Sequence, residues 1–87
     1  QVEISHLPLE QLAGEFDLVV ANILAEENVR LNNELLRHLR PGGWLVLSGI
    51  LQEKESLARD GFADLPLDSF PTRVQDEWIC LLYRCRK

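Results

Sequence analysis

The chain has 87 residues, 46% of them hydrophobic and 26% charged, with a net charge of −5. That suits one small globular unit: too short for two domains, too apolar for a disordered segment, and without an apolar run that could span a bilayer or a signal-peptide pattern. Acidic residues are scattered rather than blocked, which argues against nucleic acid as the main partner, because phosphate contact needs a concentrated basic surface. The first residue is Gln rather than Met, so the segment reads as a piece of a longer polypeptide.

In chain order, Val2 and Ile4 alternate with polar neighbours, as at the end of a strand, and His6 to Gly14 reads as a loop or short turn. Phe16 to Leu24 (FDLVVANIL) is an almost unbroken apolar run, the pattern of a parallel-sheet strand covered on both faces. Glu26 to Leu39 predicts a helix, with Leu31, Leu35 and Leu39 every four residues and Val29 and Leu36 widening the stripe. Glu26 and Glu27 at its start and Arg37, His38 and Arg40 at its end complement the helix dipole. Pro41-Gly42-Gly43 stops it.

Trp44 to Ile50 (WLVLSGI) predicts a second buried strand, then a weaker helix over Leu51 to Asp60 ended by Gly61. Asp64 to Thr72, with two prolines, reads as irregular, leading into a strand from about Phe70 to Gln75. Glu77 to Arg84 (EWICLLYR) alternates Trp78, Cys80 and Leu82 against Ile79, Leu81 and Tyr83, with both faces expected to be covered and Trp78 in the core. The strand–helix–strand alternation implies right-handed crossovers and a parallel sheet, while the short link at Asp76 forces an antiparallel hairpin. The strand at Phe16 to Leu24 is too apolar for an edge, so missing chain or a second molecule should cover it; a homodimer through an exposed strand edge follows if the chain stands alone.

Cys80 and Cys85 lie five apart on one strand and so on opposite faces, which excludes a disulfide between them and suits a reducing, cytoplasmic protein. Two cysteines make no metal site. Arg84, Arg86 and Lys87 read as a solvated basic terminus. No flanking motif supports pairing Ser48 with His6 or His38 as a nucleophile.

FDLVVANIL, a helix, LRPGGWLVLSGIL and a terminal EWICLLYRC, in that order, resemble the C-terminal half of class I S-adenosylmethionine-dependent methyltransferases, nearest to the PrmA family of ribosomal-protein methyltransferases. The resemblance covers nearly the whole chain and is sharpest from Phe16 to Leu51. It implies an α/β fold, the C-terminal half of a Rossmann-like methyltransferase sheet with parallel strands, helices and a closing antiparallel hairpin. Residues 1–87 would then be a partial catalytic domain, without the cofactor-binding N-terminal half. The parent would transfer methyl groups from S-adenosylmethionine to amino groups of a ribosomal protein, and this segment would be inactive alone. The family's glycine-rich cofactor loop has no counterpart, since no G-x-G pattern occurs here.

By the same resemblance, Asn22 and Ile23 are the catalytic candidates. A side-chain amide and a neighbouring carbonyl can accept an amine's hydrogens and aim its lone pair at the methyl carbon. The bland alternative for Asn22 is a cap on the helix beginning near Ala25. Ser5 is placed at an adenine-contacting position, with Asn22 also near the cofactor, while Leu24, Ser48 and Gly49 are placed on the substrate side. Gly49 in a strand end is explained equally well by close packing. Two other readings compete: a non-enzymatic interaction or dimerisation module derived from such a half, and a nucleotide-binding protein of another kind. The antiparallel hairpin counts against the second, and an amide at a strand end counts against the first.

Overall fold

A computed structural model of the chain describes residues 2–4 and 13–87, the side chain of Thr72 excepted. Its elements run β1 (Val2–Ile4), β2 (Phe16–Ala21), α1 (Ala25–Arg30), α2 (Asn32–Arg37), β3 (Leu39–Leu51), a 3-10 turn (Gln52–Lys54), α3 (Glu55–Phe62), β4 (Leu67–Gln75) and β5 (Trp78–Cys85). One sheet orders the strands β1-β2-β3-β5-β4. β1, β2 and β3 are mutually parallel, and β5 pairs antiparallel with both β3 and β4. The mixed open sheet and its antiparallel hairpin agree with the sequence reading. The apolar β2 is interior, because β1 pairs along it from Val19 to Ala21, so the outer strand on that side is only three residues long.

The core lies between one face of the sheet and the helices. Val19, Ala21, Leu45, Leu47, Ile50, Ile79, Leu81, Tyr83 and Cys85 are buried with Ala25, Leu35, Ala58 and Phe62, and the Phe62 ring stacks on Tyr83 at 5.7 Å. The alternation of β5 is as read, but its second face is not covered in the same way. Leu82 and Cys80 are half-buried and Trp78 is 45% exposed, so Trp78 is not a core residue. On that face Trp44 packs on Phe70 with ring centroids 5.1 Å apart, and the Arg84 guanidinium lies over the Trp44 ring. The basic terminus is likewise engaged: Arg86 pairs with Asp68, and Lys87 donates to the Leu36 carbonyl at 2.9 Å.

Four boundaries differ from expectation for local reasons. The single helix is split at Leu31, next to Asn32, whose side chain makes two hydrogen bonds at the break. Its Oδ1 accepts the Asn33 N–H at 2.7 Å, and its Nδ2 donates to the Gly61 carbonyl at 2.7 Å. Pro41-Gly42-Gly43 belongs to a strand that already begins at Leu39, paired with Phe16. Gly61 is inside α3 rather than after it, because α3 crosses α1 there: a Cβ on Gly61 would lie 2.5 Å from Val29 Cγ2. β4 starts at Leu67, not near Phe70, and reaches β5 through a two-residue turn whose Asp76 has φ 56°.

Candidate functional site at the strand ends

Because β1, β2 and β3 run the same way, their carboxyl ends form one rim, the place where open α/β sheets bind ligands. The Asn22 backbone N–H donates to the Ile4 carbonyl at 2.9 Å, carrying the β1–β2 ladder one residue past β2. Asn22, Ile23 and Leu24 then form the turn into α1. Leu24 occupies the N-cap position with no side-chain capping bond, so Asn22 does not cap this helix. The Asn22 side chain is exposed and has no hydrogen-bond partner among the described residues. Ile23 is half-buried against the core, and its carbonyl accepts a bond from Nδ2 of the wholly buried Asn28 at 3.3 Å.

Across from this turn, β3 bulges. Leu47 pairs with Leu81 and Ile50 with Ile79, so Ser48 and Gly49 together oppose Cys80. Gly49 takes φ +72°, and an ideal Cβ on it would lie 2.5 Å from Asn22 Oδ1. The two turns, 27 residues apart in sequence, thus meet at the carboxamide. Beside them is a cavity of about 320 Å³ lined by Leu24, Ala25, Glu26, Glu27, Gly49, Leu51, Lys54 and Trp78. Its walls are apolar and its rim is charged. Lys54 Nζ pairs with Glu26 Oε2 at 2.8 Å across the rim. The hydrogen bond from Lys54, then one from its own backbone N–H, holds the Glu26 carboxyl below the ordinary range.

Of the sequence candidates, Asn22, Ile23, Leu24 and Gly49 are brought together. Ser48 is half-buried in the bulge and does not line the cavity. Ser5, with His6, lies outside the described residues. His38, read as a dipole partner, is buried and donates from Nδ1 to the Gly14 carbonyl at 2.8 Å, which ties the helix end to the loop before β2. Trp78, Leu51, Lys54 and Asn28 were not anticipated. The register of β3 against β5, which pairs Leu51 with Trp78, is what brings the first two to the cavity. For Asn28 the signal was a polar residue three before Leu31 and seven before Leu35, on the apolar stripe of the helix.

Among the described residues no group of His, Cys, Asp or Glu could hold a metal ion, and no helix is long and apolar enough to cross a membrane. The turn after β2 contains no glycine, and the one after β3 runs straight into the 3-10 turn. The described turns after β2 and β3 therefore do not form a glycine-rich cradle of the kind that holds S-adenosylmethionine.

An open α/β sheet, parallel on one side, closed by a hairpin on the other and bearing an Asn-Ile-Leu turn at its strand ends, has the architecture of a methyltransferase domain. Solved structures agree. A ribosomal protein L11 methylase from Lactobacillus delbrueckii subsp. bulgaricus superimposes with a TM-score of 0.82 at 30% identity, over 91% of this chain and 41% of that one. A methyltransferase from Pyrococcus furiosus shares the fold, with a TM-score of 0.69 at 20% identity over 87% of this chain and 44% of that one. Residues 1–86 match the family model described as ribosomal protein L11 methyltransferase (PrmA), and the chain belongs to that family. Ribosomal protein L11 methyltransferases of Syntrophotalea carbinolica and Pelobacter propionicus are 57% and 55% identical to it, over 95% and 97% of the chain. The chain spans about a quarter of their length, 27% in each case.

Proposed function

We propose that these residues form the acceptor wall of an S-adenosylmethionine-dependent methyltransferase that modifies amino groups of a ribosomal protein, and that the segment alone is inactive. The observation that carries this reading is the unpartnered, exposed Asn22 carboxamide at a strand end, beside the Ile23 carbonyl, in a chain of this family. The cofactor supplies the methyl group and would be held mainly by residues beyond this segment, to which this chain would add Ser5 as an adenine contact and Asn22 bordering the donor.

The work left to this chain is orientation. An amine that arrives uncharged has two hydrogens to donate and one lone pair to aim. Asn22 Oδ1 and the Ile23 carbonyl accept the hydrogens, which leaves the lone pair facing away from both. The cavity beside them accepts the aliphatic stem of the acceptor side chain between Leu24, Leu51 and Trp78, and Gly49 keeps the approach open. Neither acceptor is a strong base, and none is required once the amine is neutral.

The test seats this chain in place of the matching segment of the Syntrophotalea carbinolica relative and follows methyl transfer to ribosomal protein L11. Asn22→Ala is expected to lower kcat by roughly a hundredfold, with cofactor affinity little changed. A variant that keeps the parental kcat would sink the reading. In parallel, titrating S-adenosylmethionine into the isolated 87-residue chain is expected to give no binding heat.

A further inference from the structure

We propose that Gly49 and Asn28 are positioning residues for this site: Gly49 leaves the hollow that the Asn22 carboxamide occupies, and Asn28 sets the plane of the Ile23 carbonyl from beneath. The inference rests on the reading of Asn22 and Ile23 as amine acceptors.

The argument for Gly49 is one of space. A Cβ placed there meets Asn22 Oδ1 at 2.5 Å and Asn22 Cγ at 3.7 Å, and, beyond its chain neighbours, no other described residue within 4 Å. The obstructed group is the free end of a side chain, so a Cβ displaces the amide, over and above the backbone strain that φ +72° imposes on any larger residue. Gly49 therefore determines where Oδ1 can be, and it does so from another strand.

The argument for Asn28 is one of cost. It is 0% exposed, and its Nδ2 donates to the Ile23 carbonyl, yet its buried Oδ1 has no partner among the described residues. A buried acceptor without a partner is a net burden on the fold, which a leucine of the same branching would remove. What Asn28 supplies is a fixed peptide plane at Ile23. One lone pair of that carbonyl is held from the protein side, and the other is left for an incoming N–H.

The experiment uses the same full-length chimaera, with kcat and KM for ribosomal protein L11 measured for Gly49→Ala and Asn28→Leu, each alone and on an Asn22→Ala background. Gly42→Ala is the control, since Gly42 also has positive φ, +78°, but a Cβ there meets no described residue within 4 Å beyond its chain neighbours. Gly49→Ala is expected to lower kcat by roughly ten- to a hundredfold with little change in KM, while Gly42→Ala keeps the parental rate. On the Asn22→Ala background, Gly49→Ala should cause no further loss, because it acts through that amide. Asn28→Leu is expected to lower kcat by about tenfold while the melting temperature holds or rises, a pair of signs that a purely structural residue would not give. It should fold at least as well as the parent, so the proposal remains testable even if Gly49→Ala does not fold.

A Gly49→Ala loss of equal size with and without Asn22, or an Asn28→Leu variant with parental kcat, would overturn the corresponding assignment. If Asn22→Ala itself keeps full activity, the reading beneath fails as well. If Asn22→Ala is impaired but neither neighbour matters, only the positioning inference falls.

Discussion

On the β4–β5 side of the sheet, antiparallel ladders run along both edges of β5, and Ile79, Leu81, Tyr83 and Cys85 are sealed under Phe62 and the other helix residues. On the β1–β2 side, three parallel strands stop at one rim and leave the Asn22 amide exposed, the Ile23 carbonyl half-used and Gly49 at positive φ. The first region satisfies its groups internally and so contributes stability. The second leaves polar groups open to solvent at a fixed spacing, which adds little to stability and suits a group that binds there. Changes in the two regions should therefore separate: one set moves the melting temperature, the other moves turnover.

The largest effect is expected in the hairpin region. Phe62→Ala removes a ring buried against Tyr83 and should destabilise the chain by about 3–5 kcal/mol, read by urea unfolding monitored through tryptophan fluorescence. A loss below about 1 kcal/mol would mean that the helix layer is not what seals the sheet. Turnover per folded molecule in the chimaera should be unchanged. The mirror image is Asn22→Ala, whose roughly hundredfold fall in kcat corresponds to about 2.7 kcal/mol in the barrier, with no shift in the unfolding midpoint. A variant that shifted both would erase the distinction between the regions.

How far this division could be read from the chain follows from how local each signal is. The apolar runs of β2, β3 and β5 were legible because burial writes directly into composition, and the hairpin followed from the shortness of its turn. Asn22 was singled out because the segment around it resembles a family. The bulge at Ser48-Gly49 was not, since nothing in WLVLSGI says that two residues oppose one across the ladder. Trp78 was assigned to the core because both faces of β5 looked covered, but it begins the strand on the face shared with Cys80 and Leu82, which is only partly buried. Asn28 and the break at Leu31 depended on what α1 packs against, which is information held 29 residues away in the Asn32 to Gly61 contact.

The crossing of α1 and α3 joins the regions, and a middle-sized effect is expected there. Gly61→Ala places a Cβ against both methyls of Val29, at 2.5 and 2.7 Å. Valine cannot rotate away easily, so overpacking should exceed the gain in helix propensity and leave a net loss of about 1 kcal/mol. Removing the obstacle reverses the sign: on a Val29→Ala background, Gly61→Ala should stabilise. If Gly61→Ala destabilises equally on both backgrounds, close approach of the helices is not the reason for the glycine.

The smallest effect belongs to the Glu26–Lys54 pair on the cavity rim, where both side chains face solvent. Lys54 donates to Glu26 and lowers its carboxyl below the ordinary 4.5, while Glu26 raises Lys54 above the ordinary 10.5. A carboxyl lowered on folding adds stability that is complete above 4.5 and is lost as pH falls through the folded value. A raised ammonium adds stability that is complete below 10.5 and is lost as pH rises through its folded value. The alkaline limb is shared with Cys80 and Tyr83, whose acid groups burial pushes up, so the acid limb is the informative one. Glu27, lowered by Arg30, contributes there too, but Lys54→Gln leaves that pair intact. Melting temperatures of the parent and Lys54→Gln should differ slightly near neutral pH and converge in acid. The difference should also vanish in about 1 M salt, where exposed charges are screened within a few ångströms. A difference that survives both treatments would come from the lysine stem packed on the cavity wall, and the rim would then belong with the framework rather than with the site.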